Sequence, residues 1–385
     1  MTQAHVTQAH VTQTQMTPTH MSRTLLVMAG GTGGHVMPAL AVAESLRKEG
    51  WRVVWLGTQA GMEAKLAVEK GFEMAWVRVA GVRGKSLLTK LLLPANLLAA
   101  FWQAARAIFR IRPDVVLGLG GYVAFPGGMM ASLLGKPLVI HEQNAIAGLT
   151  NRLLACLADR VLVGWPTAFK SGKDKPLPCR EIDSEWVGNP VRPEIAALPD
   201  PATRYAEHTG PLRLLVVGGS LGATALNELI PQALAMLEPA QRPLVRHQSG
   251  AKHLAALQAN YTAANVEAEC LTFITDMAAA YDWSDLVICR AGALTVAEVA
   301  AAGCAALFVP FPFAVDDHQS ANAAFLADAE AAWLIQQREL GVERLAEWLA
   351  ALTREILLDR ASKARVRAKP QATARVTQVV KELVQ

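Results

Sequence analysis

Two stretches of this chain repeat one pattern: a short apolar run, a glycine-rich loop, then an amphipathic segment. That repetition restricts the fold more than any other feature. In the first, Thr24-Leu25-Leu26-Val27-Met28 runs into Ala29-Gly30-Gly31-Thr32-Gly33-Gly34-His35, followed by Pro38-Ala39-Leu40-Ala41-Val42-Ala43-Glu44-Ser45-Leu46. In the second, Leu212-Arg213-Leu214-Leu215-Val216-Val217 runs into Gly218-Gly219-Ser220-Leu221-Gly222, with a helical stretch over residues 223–237. Strand, glycine loop and helix in succession form the context in which a glycine run points to a bound nucleotide. Glycines let backbone N–H groups approach an anion, and a helix N-terminus adds partial positive charge. Taken singly, either loop also fits a tight turn that binds nothing. Two in matching places predict an α/β protein of two Rossmann-like, doubly wound parallel-sheet domains, with the ligand in the cleft between them. His35 falls on the first helical turn, where the helix dipole disfavours the imidazolium form.

At 385 residues, 52% hydrophobic and 18% charged, the chain has the length and composition for two well-cored domains. The expected division is a disordered leader at 1–22, an N-terminal domain at 23–187, a C-terminal domain at 188–365, and a final helix at 366–385 returning to the first domain. The leader carries the near-repeat Thr2-Gln3-Ala4-His5-Val6, Thr7-Gln8-Ala9-His10-Val11 without the apolar stretch of a signal peptide, and Met21 is an alternative start. Five scattered cysteines with no C-x-x-C argue against a disulfide framework or zinc site and for a reducing compartment. A net charge of +4 is too mild to imply a nucleic-acid partner. The apolar run 293–315 is broken by Glu298, Gly303, Pro310 and Pro312, which predicts a helix and a buried strand rather than a membrane span.

The strand Trp51-Arg52-Val53-Val54-Trp55-Leu56-Gly57-Thr58 ends without the acid that holds a ribose in dinucleotide-binding domains; the nearest is Glu63. The strand Leu244-Val245-Arg246-His247 in the second half lacks it too. An NAD-dependent oxidoreductase is therefore disfavoured. Residues 86–110 combine leucines, Phe101 and Trp102 with Lys90, Arg106 and Arg110, and Arg83 and Lys85 lie just before; this suits an anionic membrane surface and equally a core-facing helix pair. A second glycine loop, Gly118-Leu119-Gly120-Gly121-Tyr122, and the polar strand end His141-Glu142-Gln143-Asn144 lie where open α/β sheets bind ligands. Residues 170–185 read as an interdomain connection. Thr295-x-x-Glu298 fits a helix capping box, and equally a carboxylate that accepts bonds from sugar hydroxyls.

Taken together, seven ordered motifs resemble the MurG family of glycosyltransferases across residues 23–380. They are Gly30-Gly31-Thr32-Gly33-Gly34-His35, Gly118-Leu119-Gly120-Gly121-Tyr122-Val123, His141-Glu142-Gln143-Asn144, Gly188-Asn189-Pro190-Val191-Arg192, Gly218-Gly219-Ser220, Gly292-Ala293-Leu294-Thr295-Val296-Ala297-Glu298 and Asp317-His318-Gln319. The resemblance implies a GT-B fold and inverting transfer of N-acetylglucosamine from UDP-GlcNAc to the C4 hydroxyl of lipid I, giving lipid II. It implies donor contacts at Thr32, Gly33, Gly34, Asn144, Arg192, Ser220, Ile274, Ala293, Leu294, Thr295, Val296, Ala297, Glu298 and Gln319. Among these, Glu298 is expected at the ribose hydroxyls, Ile274 at the uracil edge and Gln319 at sugar hydroxyls. Acceptor contacts are expected at Gly31, Gly120, Gly121 and Tyr122. It further implies a peripheral enzyme on the cytoplasmic face of the bacterial inner membrane, with other proteins of cell-wall synthesis and division as partners. Three departures stand out: Leu221 replaces a usual Gln, Ala124-Phe125 replace a usual Ser-Gly, and the 170–185 segment is long.

An inverting transfer needs a base for the attacking hydroxyl and relief of charge on departing UDP. No D-x-D pair is placed for a metal and no cofactor is expected, so backbone N–H groups, helix dipoles and Arg192 are expected to meet the diphosphate. His35 is the candidate base. The rival readings are a UDP-sugar epimerase on the same fold and a non-catalytic nucleotide-sugar-binding or membrane-scaffold subunit.

Overall fold

A computed structural model describes residues 23–31, 33–79, 93–170, 182–219, 222–314 and 317–384. Thr32, Ser220 and Leu221, the leader and much of the basic stretch before Leu93 thus lie outside the described residues.

The first sheet holds β1 (Thr24–Ala29), β2 (Arg52–Gly57), β3 (Glu73–Trp76), β4 (Val115–Gly120), β5 (Leu138–Glu142), β6 (Arg160–Val163) and β7 (Glu185–Trp186), in the order 3-2-1-4-5-6-7. The second holds β8 (Arg213–Val217), β9 (Leu244–Gln248), β10 (Glu269–Leu271), β11 (Leu286–Cys289), β12 (Ala305–Phe308) and β13 (Trp333–Leu334), in the order 10-9-8-11-12-13. Every pairing is parallel. Parallel strands are covered on both faces and so favour unbroken apolar runs. β1, β4, β11 and β12 are accordingly buried along their whole length.

Helices α1 (Gly33–Lys48), α2 (Met62–Glu69), α3 (Leu93–Ile111), α4 (Ala124–Leu133) and α5 (Leu149–Leu154) connect the first sheet. Helices α6 (Pro193–Ala196), α7 (Pro201–Glu207), α8 (Thr224–Ala235), α9 (Leu254–Ala263), α10 (Met277–Trp283), α11 (Ala293–Ala302), α12 (His318–Ala327), α13 (Val342–Ala350) and α14 (Arg354–Arg367) surround the second. The run 293–315 divides into α11, a left-handed Gly303 with φ 61° that stops it, and β12.

α15 (Ala372–Glu382) then packs against α1 of the first unit. Its Val376, Val379 and Val380 are fully buried in the same core as Val27 and Ala39. Lys381 reaches Glu49 at 2.9 Å, and Arg375 pairs with Glu185. The chain therefore crosses between the units twice, and the crossings touch: a Cβ on Gly188 (φ +86°) would lie 2.3 Å from Lys369 Cβ. Beside them Phe325 packs on Trp165 and Trp186, with ring centroids 4.8 and 5.9 Å apart. The buried Asn322 accepts from Ala145 N at 2.7 Å and donates to Ala291 O at 3.2 Å, so one side chain ties the loop after β5 to the loop after β11.

Among the described residues, Cys270, Cys289 and Cys304 are free thiols.

Two buried histidines make the fold acid-sensitive. Burial pushes His141 from 6.5 down to about 4 and His247 from 6.5 down to about 3. Both rings stay neutral in the folded chain while the unfolded chain binds their protons. Their contribution is therefore complete above 6.5 and is lost as pH falls toward the folded values. Each should remove about 1.4 kcal/mol per pH unit in that window. The urea midpoint is expected to fall steadily from pH 7 to pH 5, and His247→Gln should flatten that dependence by about one proton; a midpoint constant over the range contradicts it.

Candidate active site

In open α/β sheets ligands bind beyond the carboxyl ends of the strands, where the strand order reverses. That point lies between β1 and β4 in one sheet and between β8 and β11 in the other. All four strands feed loops into one cleft of about 1530 Å³, whose walls include Gly31, His35 and Gly121 from one side and Gly219, Gly292 and Gln319 from the other.

The two glycine loops of the first sheet are laced together. Gly30 N donates to Gly120 O at 3.3 Å. Gly121 (φ +85°) sits so close that an added Cβ would lie 2.3 Å from Gly30 O. Beneath them lies Glu63, 1% exposed, which accepts from Thr58 N at 3.0 Å, Thr58 Oγ1 at 2.8 Å and Gly31 N at 3.3 Å. The nearest acid to the ribose position thus holds the glycine loop from below. Gln248 does the same in the second sheet, accepting from Gly219 N at 3.1 Å and donating to Gly219 O at 3.0 Å.

His35 is the third residue of α1, half-buried on the cleft wall, and its Nδ1 lies 2.7 Å from Gln143 Oε1. The neighbouring strand end turns inward. Glu142 is 1% exposed and accepts from the N–H groups of Asn144 (2.8 Å) and Gly148 (3.1 Å) and from Asn151 Nδ2 (2.9 Å). Those bonds occupy its carboxylate, so it shapes the wall instead of acting as a base.

In the second unit α11 begins at Ala293 with Gly292 as its N-cap and no side-chain cap. Thr295 is then the third helical residue, so the capping box does not form. The first N–H groups of this helix lack helical partners, and Gly292, Ala293 and Thr295 bring its positive end to the cleft wall. Glu298 lies deeper, 5% exposed, with Arg192 Nε and an Arg192 terminal nitrogen on its Oε1 at 3.0 and 2.9 Å. Burial pushes the Glu298 carboxyl up, and the Arg192 guanidinium opposes that shift. Arg192 is therefore engaged with Glu298 rather than standing free for a diphosphate.

The structure brings Gly31, Gly33, Gly34, His35, Gly120, Gly121, Tyr122, Asn144, Ala293, Thr295 and Gln319 to the cleft wall. Arg192, Ile274, Leu294, Val296, Ala297 and Glu298 do not line it: Val296 is fully buried, and Ile274, Leu294 and Ala297 pack against the second core. Gln319 Oε1 accepts from Phe311 N (2.9 Å) and Ala291 N (3.3 Å), which leaves its Nε2 for a ligand. Arg290, which the sequence reading passed over, also lines the cleft; it donates to Val309 O and Pro310 O and packs under Phe311. Its signal was a cation at the end of β11, next to Gly292.

Residues 25–163 match the Glycosyltransferase family 28 N-terminal domain, and residues 213–382 the Glycosyltransferase family 28 C-terminal domain. The UDP-N-acetylglucosamine--N-acetylmuramyl-(pentapeptide) pyrophosphoryl-undecaprenol N-acetylglucosamine transferase of Thiobacillus denitrificans is 63% identical over 94% of this chain and 98% of its own length. The protein of that name from Cupriavidus metallidurans is 60% identical over the same shares. The crystal structure of Acinetobacter baumannii MurG superposes with a TM-score of 0.80 at 42% identity, covering 94% of this chain and 99% of that one. The glycosyltransferase of kitacinnamycin, at 16% identity and a TM-score of 0.67, shares the fold alone. With both halves matched and identity carried along nearly the whole length, this GT-B chain belongs to glycosyltransferase family 28, among its UDP-N-acetylglucosamine–N-acetylmuramyl-(pentapeptide) pyrophosphoryl-undecaprenol N-acetylglucosamine transferases.

Proposed function

We propose that this chain moves N-acetylglucosamine from UDP-GlcNAc to the C4 hydroxyl of lipid I, undecaprenyl-pyrophosphoryl-N-acetylmuramyl-pentapeptide, with inversion, giving lipid II. The observation that carries the reading is one cleft receiving a helix N-terminus and glycine loop from one sheet and His35 from the other. The diphosphate of the donor sits at the N–H groups of Ala293, Leu294 and Thr295 and along the loop after β8. We assign Glu298 to the ribose hydroxyls and Ile274 to the uracil edge, although both stand behind the cleft wall in this structure, Glu298 with Oε2 on the Tyr281 hydroxyl at 3.5 Å. Gln319 Nε2 reaches sugar hydroxyls. Gly31, Gly120, Gly121 and Tyr122 face the acceptor. His35 removes the proton of the C4 hydroxyl as that oxygen attacks the anomeric carbon opposite the departing UDP.

UDP release measured with and without lipid I tests this reading: release that depends on the acceptor supports transfer, whereas equal release in its absence contradicts it.

Among the described residues no helix is long and apolar enough to cross a membrane. α3 instead exposes Leu98 (69%), Trp102 (63%) and Phe109 (66%) on one face, with Arg106 stacked 5.6 Å from the Trp102 ring. This spacing makes one stripe that lies on an anionic bilayer, beside Asn96 and Gln103 at the cleft. On this reading the enzyme is peripheral to the cytoplasmic face of the inner membrane. Phe101 is not part of the stripe: it packs edge-on against Phe125, centroids 5.8 Å apart. Leu98→Gln, Trp102→Gln and Phe109→Gln combined should abolish binding to vesicles containing anionic phospholipid while UDP-GlcNAc binding persists. Unchanged vesicle binding removes the stripe from the account.

A further inference from the structure

Behind His35 runs a hydrogen-bonded chain that has one consistent assignment of protons. His141 Nε2 lies 2.9 Å from Gly188 O; a carbonyl only accepts, so Nε2 carries the hydrogen. Gln143 Nε2 lies 2.9 Å from His141 O, which fixes that atom as the amide nitrogen by the same argument. Its second hydrogen meets His141 Nδ1 at 3.0 Å, the lone-pair nitrogen of the neutral ring. The atom 2.7 Å from His35 Nδ1 is then the amide oxygen Oε1, which cannot donate. The proton between them belongs to His35 Nδ1.

We propose that Gln143, itself oriented by His141, is a positioning residue that fixes the proton of His35 on Nδ1 and leaves Nε2 as the acceptor nitrogen at the cleft.

Three features favour a held tautomer. Gln143 and His141 are 1% and 0% exposed, so water does not compete for the bonds between them. Burial pushes His141 down to about 4, which keeps its Nδ1 unprotonated and able to accept. The Gln143 carbonyl is clamped by Trp165 Nε1 at 2.7 Å and Asn189 Nδ2 at 3.0 Å, so the residue has little freedom to turn. On the His35 side, a Cβ at Gly120 would lie 3.1 Å from both Nδ1 and Cε1, so that ring edge faces the protein. Among the described residues nothing bonds Nε2. The far end of the chain, Gly188 O, lies on the crossover between the two units, where Gly188 abuts Lys369. The same arrangement that joins the sheets thereby sets which nitrogen of His35 can take a proton.

The catalytic consequence rests on His35 being the base; the tautomer does not, and the experiment separates the two. Nitrogen-15 spectra of the full chain labelled at histidine, at pH 8, report the tautomer, with His35→Gln identifying the signal. The wild type should show His35 protonated at Nδ1 alone. Gln143→Met, close in shape but unable to accept, should show both tautomers. It should lose turnover roughly ten- to a hundredfold, with KM for UDP-GlcNAc within about twofold, the range usual for a partner that orients a functional group. Gln143→Glu, which still accepts from Nδ1–H but gives up both bonds to His141, should keep the single His35 tautomer and recover part of that turnover. A wild-type His35 protonated at Nε2, or an unchanged single tautomer in Gln143→Met, overturns the proposal. The expected spectra with full turnover in His35→Ala overturn the base assignment alone.

Discussion

Replacing His35 with alanine lowers turnover by a factor on the order of 10²–10⁴ and leaves UDP-GlcNAc affinity nearly unchanged, as steady-state kinetics and direct donor binding will read it. The size follows from the role. A hydroxyl that attacks without a base must shed its proton to water, and general-base assistance is worth that range. The unchanged affinity follows from the geometry. The ring points its bonded edge at Gln143 and Gly120, while the anion-binding N–H groups lie on α11 across the cleft. Turnover close to wild type removes His35 from the chemistry. A loss confined to KM moves it to the donor's binding contacts.

A second large effect is expected at Gly121, which touches no ligand group through a side chain. Its φ is +85°, and an added Cβ would stand 2.3 Å from Gly30 O and 2.8 Å from Gly30 C. Backbone cannot swing aside as the end of a side chain can, so Gly121→Ala must part the two loops that carry His35 and the acceptor wall. Left-handed strain of about 1–3 kcal/mol and overpacking of about 1–3 kcal/mol act together. The variant should unfold at clearly lower denaturant and lose activity more than tenfold. Gly31→Ala is the control: its φ is +94° but a Cβ there meets nothing within 4 Å. It bears the strain without the clash. Equal stability of the two variants means that the loop contact does not matter.

The fold was legible because the glycine loops are local signals. Each follows an apolar strand and precedes a helix in the structure. The side chains that hold these loops were not legible. Glu63 and Gln248 reach their loops through tertiary folding, 32 and 29 residues from the glycines that they hold. The Thr295-x-x-Glu298 spacing matched a local rule, but Gly292 caps the helix and Glu298 pairs with Arg192, 106 residues away. Sequence spacing does not encode that distance. Phe101 illustrates the limit of periodicity: the helix was legible, yet which stripe faces solvent depends on Phe125, fixed by another helix. His141-Glu142-Gln143-Asn144 stands at the cleft as its polarity suggests, with Glu142, Gln143 and Asn144 on the wall, yet its first three side chains are buried almost completely. The strand end supports His35 from behind, an arrangement that only the paired donors and acceptors reveal.

The most direct test is the structure of the product formed from UDP-GlcNAc and lipid I by the purified full chain. Mass spectrometry and the anomeric proton coupling together should give an acceptor heavier by one N-acetylglucosamine, joined at C4 in the β configuration. Free sugar, an epimerised nucleotide sugar or an α-linked product contradicts inverting transfer across this cleft.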